Sequence, residues 1–129
     1  MKKGVTLIEM IIVIIIVGIL ATIAVPQYIG VKERSMDKEA RANLSTIQAA
    51  EKNYRIEKGS YYAGSTADLN TNLKLLLPTT SPQWDYAVAD NGDMTATRQF
   101  GSSTGRTWTL LSTGDTPPTC SDGSGDVCR

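Results

Sequence analysis

The segment Gly4–Pro26, GVTLIEMIIVIIIVGILATIAVP, decides the architecture of this 129-residue chain. The 21 residues from Val5 to Val25 are apolar with four exceptions, Thr6, Glu9, Gly18 and Thr22. As an α-helix at 1.5 Å per residue, this run would be about 30 Å long, which matches the hydrocarbon core of a bilayer. Lys2 and Lys3 precede it, and the positive-inside rule therefore predicts a membrane-spanning helix with a cytoplasmic N-terminus and the rest of the chain outside.

Glu9 is the one ionisable residue in this run. A charged side chain within a membrane-spanning helix costs on the order of 2.5 to 3.5 kcal/mol on insertion scales, so such residues are generally paired or functional. The residues alone leave two explanations open. The carboxylate could be stabilised by the helix dipole and snorkel to the headgroups. Alternatively, it could pair with a cation that is absent from the neighbouring residues of this sequence.

The basic leader and this acid together resemble a known signature. The stretch KKGVTLIEMIIVIIIVGILATIAVPQY is similar to the N-terminus of type IV prepilins, in which a dedicated peptidase cuts after a glycine and methylates the new N-terminus. The resemblance implies cleavage between Gly4 and Val5, N-methylation of Val5, and a role for Glu9 in assembly. The family usually has phenylalanine where this chain has Val5. An ordinary secretory signal fits less well, because Ala21 and Ala24 are separated by two residues where its cleavage site has one.

Cleavage after Gly4 would create the cation that Glu9 lacks. The nitrogen of Val5 is a neutral amide in the precursor and becomes an α-amine with a pKa near about 8, mostly cationic, once the peptide bond is cut. Val5 and Glu9 are four residues apart and would share one face of a helix. Glu9 could therefore pair with the amine of its own chain or with that of a neighbouring subunit.

The helix is expected to kink or loosen between Gly18 and Pro26. Pro26 has no N–H and leaves the carbonyl of Thr22 without its usual helical donor. In pilins of this kind the corresponding stretch is implicated in local unwinding on assembly, and a static kink is the alternative. Beyond it, apolar residues at steps of three and four predict that an amphipathic helix continues to a stop at Gly59, namely Met36, Ala40, Leu44, Ile47, Ala50 and Tyr54. The charged residues between Lys32 and Arg41 are expected to be mostly solvated.

The C-terminal half predicts a small antiparallel sheet. The runs WDYAVAD, MTATRQF and TWTLLST are rich in aromatic and β-branched residues, and an Asn91-Gly92 turn would join the first two as a hairpin. One face of the sheet would pack on the amphipathic helix with a core of Trp84, Tyr86, Val88, Phe100, Trp108 and Leu110. The two cysteines, Cys120 and Cys128, are predicted to form a disulfide in an oxidising compartment, with a pair of free thiols as the alternative.

Composition argues against catalysis and against metal or cofactor binding. The chain has no histidine, and it contains no serine elbow, phosphate-binding loop or zinc-ligand spacing. Asp122, Ser124 and Asp126 alternate, but the glycine and the distal glutamate of a calcium loop are missing, so no metal site is predicted. Thirteen basic and thirteen acidic side chains give a formal net charge of zero, and a nucleic-acid partner, although open, is not indicated.

These observations predict a pilin-like α+β fold, with a long N-terminal helix, transmembrane and then amphipathic, on a small antiparallel β-sheet head. We expect a leader at residues 1–4, a transmembrane and assembly helix at 5–29, and the amphipathic helix with the head at 30–129. The resemblance implies a non-catalytic pilus subunit, which is membrane-bound as a precursor in the bacterial inner membrane. It would then polymerise with its own copies into an extracellular filament for adhesion, motility or DNA uptake. Prepilin peptidase and the inner-membrane assembly machinery would be its partners. A pseudopilin of a type II secretion system and a membrane-anchored binding protein that never polymerises are the alternatives.

Overall fold

A computed structural model describes residues 4–80, 83–101, 103–114, 116–122 and 128 of the chain. The chain divides into two compact units, Met1–Met36 and Asp37–Arg129. The boundary falls inside the first helix, α1, which spans Leu7–Lys58 and contributes to both units. The predicted α+β class, a long N-terminal helix with an antiparallel sheet, is confirmed.

The part of α1 in the second unit is amphipathic, as its sequence pattern predicts. Its completely buried positions recur at steps of three and four residues, Ala40, Leu44, Ile47 and Glu51. The helix ends at Lys58, and Gly59 follows with a φ of 81° while its N–H donates to the carbonyl of Arg55 at 2.8 Å. This left-handed residue is a common way to end a helix because glycine has no Cβ to clash. The predicted helix stop at Gly59 is therefore confirmed.

The segment between α1 and the main sheet contains a short strand and a second helix that the sequence analysis did not predict. These are β1, Gly64–Ser65, and α2, Thr66–Asn72. The carboxylate of Asp68 accepts hydrogen bonds from the backbone N–H and the hydroxyl of Ser65, at 3.1 and 2.6 Å. Both bonds lower the pKa of Asp68, and the bond from the Ser65 hydroxyl has the larger effect. They also fix the first turn of α2.

Among the described residues the sheet is antiparallel, with five strands in chain order. After β1 come β2 Trp84–Val88, β3 Met94–Arg98, β4 Thr107–Leu110 and β5 Thr119–Ser121. The three predicted strands correspond to β2, β3 and β4. Tyr86 lies opposite Ala96, which lies opposite Trp108, which in turn lies opposite Cys120. This register aligns the same face of four neighbouring strands.

The predicted hairpin between β2 and β3 is confirmed, and two backbone hydrogen bonds tighten its five-residue connection, 89–93. The N–H of Ala89 donates to the carbonyl of Asp93 at 2.9 Å, and the N–H of Gly92 donates to the carbonyl of Ala89 at 2.8 Å. Gly92 has a φ of 84°, and a Cβ at this position would lie 2.6 Å from the ring of Tyr61. Both the turn and the contact with Tyr61 therefore require glycine here.

The core of the second unit lies between α1, α2 and one face of the sheet. The predicted core positions Trp84, Tyr86, Val88 and Leu110 are buried, and Trp108 is half-buried. The prediction for Phe100 is wrong, because its side chain is 54% exposed. Strand β3 ends two residues earlier at Arg98, and the chain then turns, so the alternation that would bury Phe100 no longer applies.

Candidate functional site

Residues Gly4, Val5 and Thr6 precede α1 and are exposed. A Cβ at Gly4 would meet no atom within 4 Å, so there is free space beside the predicted cleavage position. Val5 lies two residues before the first helical residue, Leu7, and its helical pairing with Glu9 at four residues' spacing is therefore not formed in this structure. Cleavage and methylation at these positions stay predictions.

Glu9 lies in the first turn of α1 with an exposed side chain. Its backbone N–H donates to the hydroxyl oxygen of Thr6 at 3.3 Å, so Thr6 satisfies one of the free amides at the helix start. The sequence analysis missed this contact, although Thr6-Leu7-Ile8-Glu9 has the spacing of a capping box. A carboxylate three residues past the cap is also favourably placed against the positive end of the helix dipole. Its role in assembly stays a prediction.

The helical surface after Glu9 is apolar, and no described part of the chain covers it. It is long and apolar enough to cross a membrane, and none of its most apolar 18-residue window is buried. From Leu7 to Val31 every described side chain is exposed, including large ones such as Ile14 at 65% and Leu20 at 61%. Contiguous apolar surfaces of this size mark contacts with lipid or with other proteins.

The two predicted kink positions lie within an unbroken helix. The hydroxyl of Thr22 donates to the carbonyl of Ile19 at 2.7 Å. The carbonyl of Thr22 has no helical donor, because Pro26 has no N–H. A Cβ at Gly18 would meet nothing within 4 Å, so packing within the described chain does not require glycine there. The kink and its switching stay predictions.

The two cysteines form the predicted disulfide, Cys120 to Cys128, with their Cα atoms 5.4 Å apart. Cys120 lies in β5 and is buried, so the disulfide links Cys128 to this strand of the sheet. Ser124 and Asp126, which the sequence analysis considered for calcium, lie outside the described residues. Within the part of the chain that the structure describes, no cluster of potential metal ligands is present.

A polar cluster on the head is formed by Asp37 of α1 with Arg106 and Trp108. Arg106 Nη1 donates to Asp37 Oδ2 at 2.9 Å, and Trp108 Nε1 donates to Asp37 Oδ1 at 3.3 Å. The guanidinium carbon of Arg41 lies 5.1 Å from the centre of the Trp108 ring, within the range of a cation–π interaction. Asp37 is therefore an exception to the prediction that the charged residues between Lys32 and Arg41 are mostly solvated.

A second acid, Glu51, is completely buried on α1. Its Oε2 accepts a hydrogen bond from the N–H of Tyr62 at 2.9 Å, while Oε1 is buried with no hydrogen-bond partner among the described residues. Burial raises the pKa of Glu51 above its ordinary value, and the bond from Tyr62 offsets part of that rise. Sequence reasoning missed Glu51, although it is four residues from Ile47 on the same face.

Comparison with known proteins bears first on the N-terminal residues. Residues 1–25 match the family model described as the prokaryotic N-terminal methylation motif. The motif spans Gly4, Val5 and Glu9, the positions that the sequence analysis selected for processing and assembly.

Three curated relatives extend the likeness beyond the motif. The chain is 46% identical over 60 residues to the type IV major pilin protein PilA of Myxococcus xanthus, covering 46% of this chain and 27% of that protein. It is 35% identical over 72 residues to the type IV wide pilus major component PilA4 of Thermus thermophilus, covering 56% and 55%. It is 28% identical over 82 residues to the type II secretion system core protein G of Dickeya chrysanthemi, covering 64% and 52%.

The predicted resemblance to type IV pilins, with type II secretion pseudopilins as the close alternative, is confirmed. The matched regions span between about a quarter and just over half of the length of these relatives. No solved structure matches the chain significantly.

Proposed function

We propose that this chain is the structural subunit of a type IV pilus and polymerises through its N-terminal helix. The observation that carries the proposal is the uncovered apolar surface of α1, most of which lies within the residues that match the methylation motif. Such a surface requires lipid before assembly and other apolar helices afterwards; a membrane supplies the first and a homopolymer supplies the second. The similarity to proteins named as pilus components supports the same role.

The peptide bond between Gly4 and Val5 is the proposed cleavage site, and prepilin peptidase is the proposed enzyme. The exposure of residues 4–6 ahead of the helix supports access to this bond. After cleavage and methylation, the nitrogen of Val5 would carry a positive charge near the positive end of the helix dipole, which is unfavourable there. A nearby carboxylate is therefore needed.

Glu9 is the proposed partner of that amine, and the amine belongs to a neighbouring subunit. Because α1 begins at Leu7, Val5 and Glu9 do not share a helix face in this structure, which supports a partner from another subunit. Glu9→Gln should therefore insert and be processed normally but give at least tenfold fewer filaments, measured by quantitative electron microscopy against the cleaved subunit on immunoblots. Normal filament yield from Glu9→Gln would contradict the pairing and leave the pilus assignment intact.

The precursor would lie in the bacterial inner membrane and the mature subunit in an extracellular filament. The inner-membrane assembly machinery would move it between the two, and its role is structural, without catalysis. Electron microscopy with immunogold labelling of a pilus-competent host that expresses the chain tests this proposal. Labelled surface filaments are expected, including gold at filament tips if the subunit is minor. A labelled membrane without filaments would indicate a membrane-anchored protein that never polymerises.

The second candidate is a pseudopilin of a type II secretion system. The likeness to core protein G over 64% of this chain favours it as the main alternative. A pseudopilus subunit would restore secretion when expressed in a host that lacks its own core protein G, whereas a pilus subunit would not. Restored secretion without surface filaments would replace the first candidate by the second.

A further inference from the structure

The connection between β2 and β3 contains a pair of adjacent residues that favours a spontaneous change of a side chain. Asn91 is the one asparagine in the sequence that is followed by glycine. The backbone nitrogen of the next residue can attack the side-chain carbonyl carbon of an asparagine, and glycine leaves that nitrogen unshielded because it has no Cβ. Asn91 is also exposed, so water reaches the turn. Sequence and exposure therefore both favour loss of the side-chain amide of Asn91.

The folded turn engages both reacting groups with other partners. Asn91 Nδ2 donates to Asp93 Oδ2 at 2.8 Å, and the N–H of Asp93 donates to Asn91 Oδ1 at 3.0 Å. The N–H of Gly92 donates to the carbonyl of Ala89 at 2.8 Å. The side chain of Asn91 must leave Asp93, and Gly92 must leave Ala89, before the nitrogen can attack. These hydrogen bonds therefore oppose the reaction in the folded chain.

Asp93 is itself held by a distant part of the sheet. Its Oδ1 accepts a hydrogen bond from the N–H of Ser112 at 2.9 Å. Ser112 lies just beyond the end of β4 and is 19 residues further along the chain. One carboxylate therefore joins the side chain of Asn91 to the connection that follows β4. Removal of this carboxylate would leave the amide nitrogen of Asn91 without its acceptor.

We propose that Asn91 is a site of spontaneous deamidation and that Asp93 slows the reaction in the folded chain. The nitrogen of Gly92 forms a bond to Cγ of Asn91, and the bond between Cγ and Nδ2 breaks. Ammonia leaves with the proton of the Gly92 amide, and a cyclic succinimide remains. Water then opens the ring at Cγ to give aspartate, or at the backbone carbonyl carbon to give isoaspartate. Water is the only other reactant, and the reaction does not depend on whether the chain polymerises.

Either product changes the turn. Aspartate at position 91 places a carboxylate where Asn91 now donates to Asp93, and the two like charges repel each other. Isoaspartate routes the backbone through Cβ and Cγ and so lengthens the chain beside Gly92. Gly92 packs so closely on Tyr61 that even a Cβ would lie 2.6 Å from its ring, and Arg55 Nη1 donates to the hydroxyl of Tyr61 at 2.7 Å. Deamidation should therefore loosen the contact between the hairpin and the end of α1.

Mass spectrometry of aged protein tests the site. The full chain is incubated in detergent in mildly alkaline buffer, and samples are digested with trypsin, which releases residues 75–98 as one peptide. This peptide has no asparagine besides Asn91 and should gain the mass that separates a carboxyl group from an amide. A sample taken at the start corrects for reaction during digestion. Asn53 is also exposed but precedes Tyr54 within α1, and this internal control should stay unchanged. Asn91→Gln should abolish the gain.

Asp93→Ala tests the protecting contact. A hydrogen bond of ordinary net strength changes a conformational population by about two- to tenfold, and the reaction at Asn91 should accelerate by about that factor. Asp93→Asn has nearly the same shape but only one acceptor oxygen, so it should accelerate the reaction as well. Asp90→Ala removes a charge from the same turn and should leave the rate unchanged. In denaturant the native chain and Asp93→Ala should react at one common rate, since the contact belongs to the folded chain.

Each part of the inference has its own refutation. The site would be overturned if the folded native chain gained no mass at Asn91 while the denatured chain converted completely. The role of Asp93 would be overturned by equal rates in the folded native chain and in folded Asp93→Asn. Equal acceleration by Asp90→Ala and Asp93→Ala would overturn it too, because the effect would then come from charge and not from the hydrogen bond.

Discussion

Asp37→Ala should destabilise the head more than any other change to a charged residue of α1 outside its core. The carboxylate of Asp37 accepts from Arg106 at 2.9 Å and from Trp108 at 3.3 Å. The side chains of Asp37 and Arg106 are only 17% and 18% exposed, so water screens the pair weakly. Removing Asp37 leaves the Arg106 guanidinium largely buried without its carboxylate and the Trp108 N–H without an acceptor.

The expected loss follows from the burial of this cluster. Exposed ion pairs contribute about 0 to 1 kcal/mol, whereas breaking a fully buried pair costs about 3 to 5 kcal/mol. A pair that is about four-fifths buried lies between these limits, and the lost indole hydrogen bond adds to it, which gives about 2 to 3 kcal/mol in the free energy of unfolding. For a domain of this size that corresponds to a fall of about 10 to 20 °C in the melting temperature.

Thermal unfolding of the full chain in detergent, followed by near-UV circular dichroism, measures this loss. Glu39→Ala is the control, because Glu39 lies two residues away on α1 with an exposed side chain and should change stability by less than about 0.5 kcal/mol. The double variant Asp37→Leu with Arg106→Leu removes both charges and should recover most of the loss. A loss below about 0.5 kcal/mol for Asp37→Ala would refute the reasoning.

Three further changes test the buried acid, the packing of the core and the disulfide by equilibrium unfolding. Burial raises the pKa of Glu51, so the contribution of its protonated form to stability is complete below about pH 4.5 and is lost as pH rises through the native pKa. Glu51→Gln should remove this decline of stability with pH. A pH profile of stability that does not change in Glu51→Gln would contradict this prediction. Leu44→Ala should cost about 2 to 5 kcal/mol, whereas Ile56→Ala, at an exposed position, should cost less than about 1 kcal/mol. Replacing Cys120 and Cys128 by serine opens a loop with a sequence separation of 8 and should cost roughly 2 to 3 kcal/mol; an unchanged stability would refute this role.

The elements that the sequence predicts well are those with a repeated pattern. The apolar steps from Met36 to Tyr54 predict the amphipathic half of α1, and alternation predicts β2 and β3 with their buried faces. The Asn91-Gly92 turn is predicted because few residues other than glycine accept positive φ at such a position. In each case more than one residue indicates the same element of secondary structure.

The features that sequence reasoning missed depend on contacts between distant segments. Strands β1 and β5 have two and three residues, too few to show alternation, and they are recognisable only through their pairing with β2 and β4. The contact of Asp37 with Arg106 joins residues 69 positions apart. The start of α2 could have been predicted, because Ser65 to Asp68 has the spacing of a helix cap.

The residues of the candidate site likewise fall into those that the sequence predicts and those that it misses. The sequence selects Gly4, Val5 and Glu9, because a short basic leader, a glycine ahead of the apolar run and an acid within that run all lie in the first nine residues. The match to the methylation motif covers the same positions, and their roles stay predictions. The cap from Thr6 to Glu9 was visible in the same residues but was not used. The burial of Glu51 could not be predicted, since it follows from how α1 packs against the chain around Tyr62.

The mass of the N-terminal peptide from purified filaments tests the central claim most directly. The claim is that the chain is cut after Gly4 and that the cut product forms the filament. Proteolysis and mass spectrometry of sheared filaments should give a peptide that begins at Val5 and carries one added methyl group on its α-amine. Filament protein that retains residues 1–4, or that begins near Ala24 as a secretory signal would leave it, would contradict the claim.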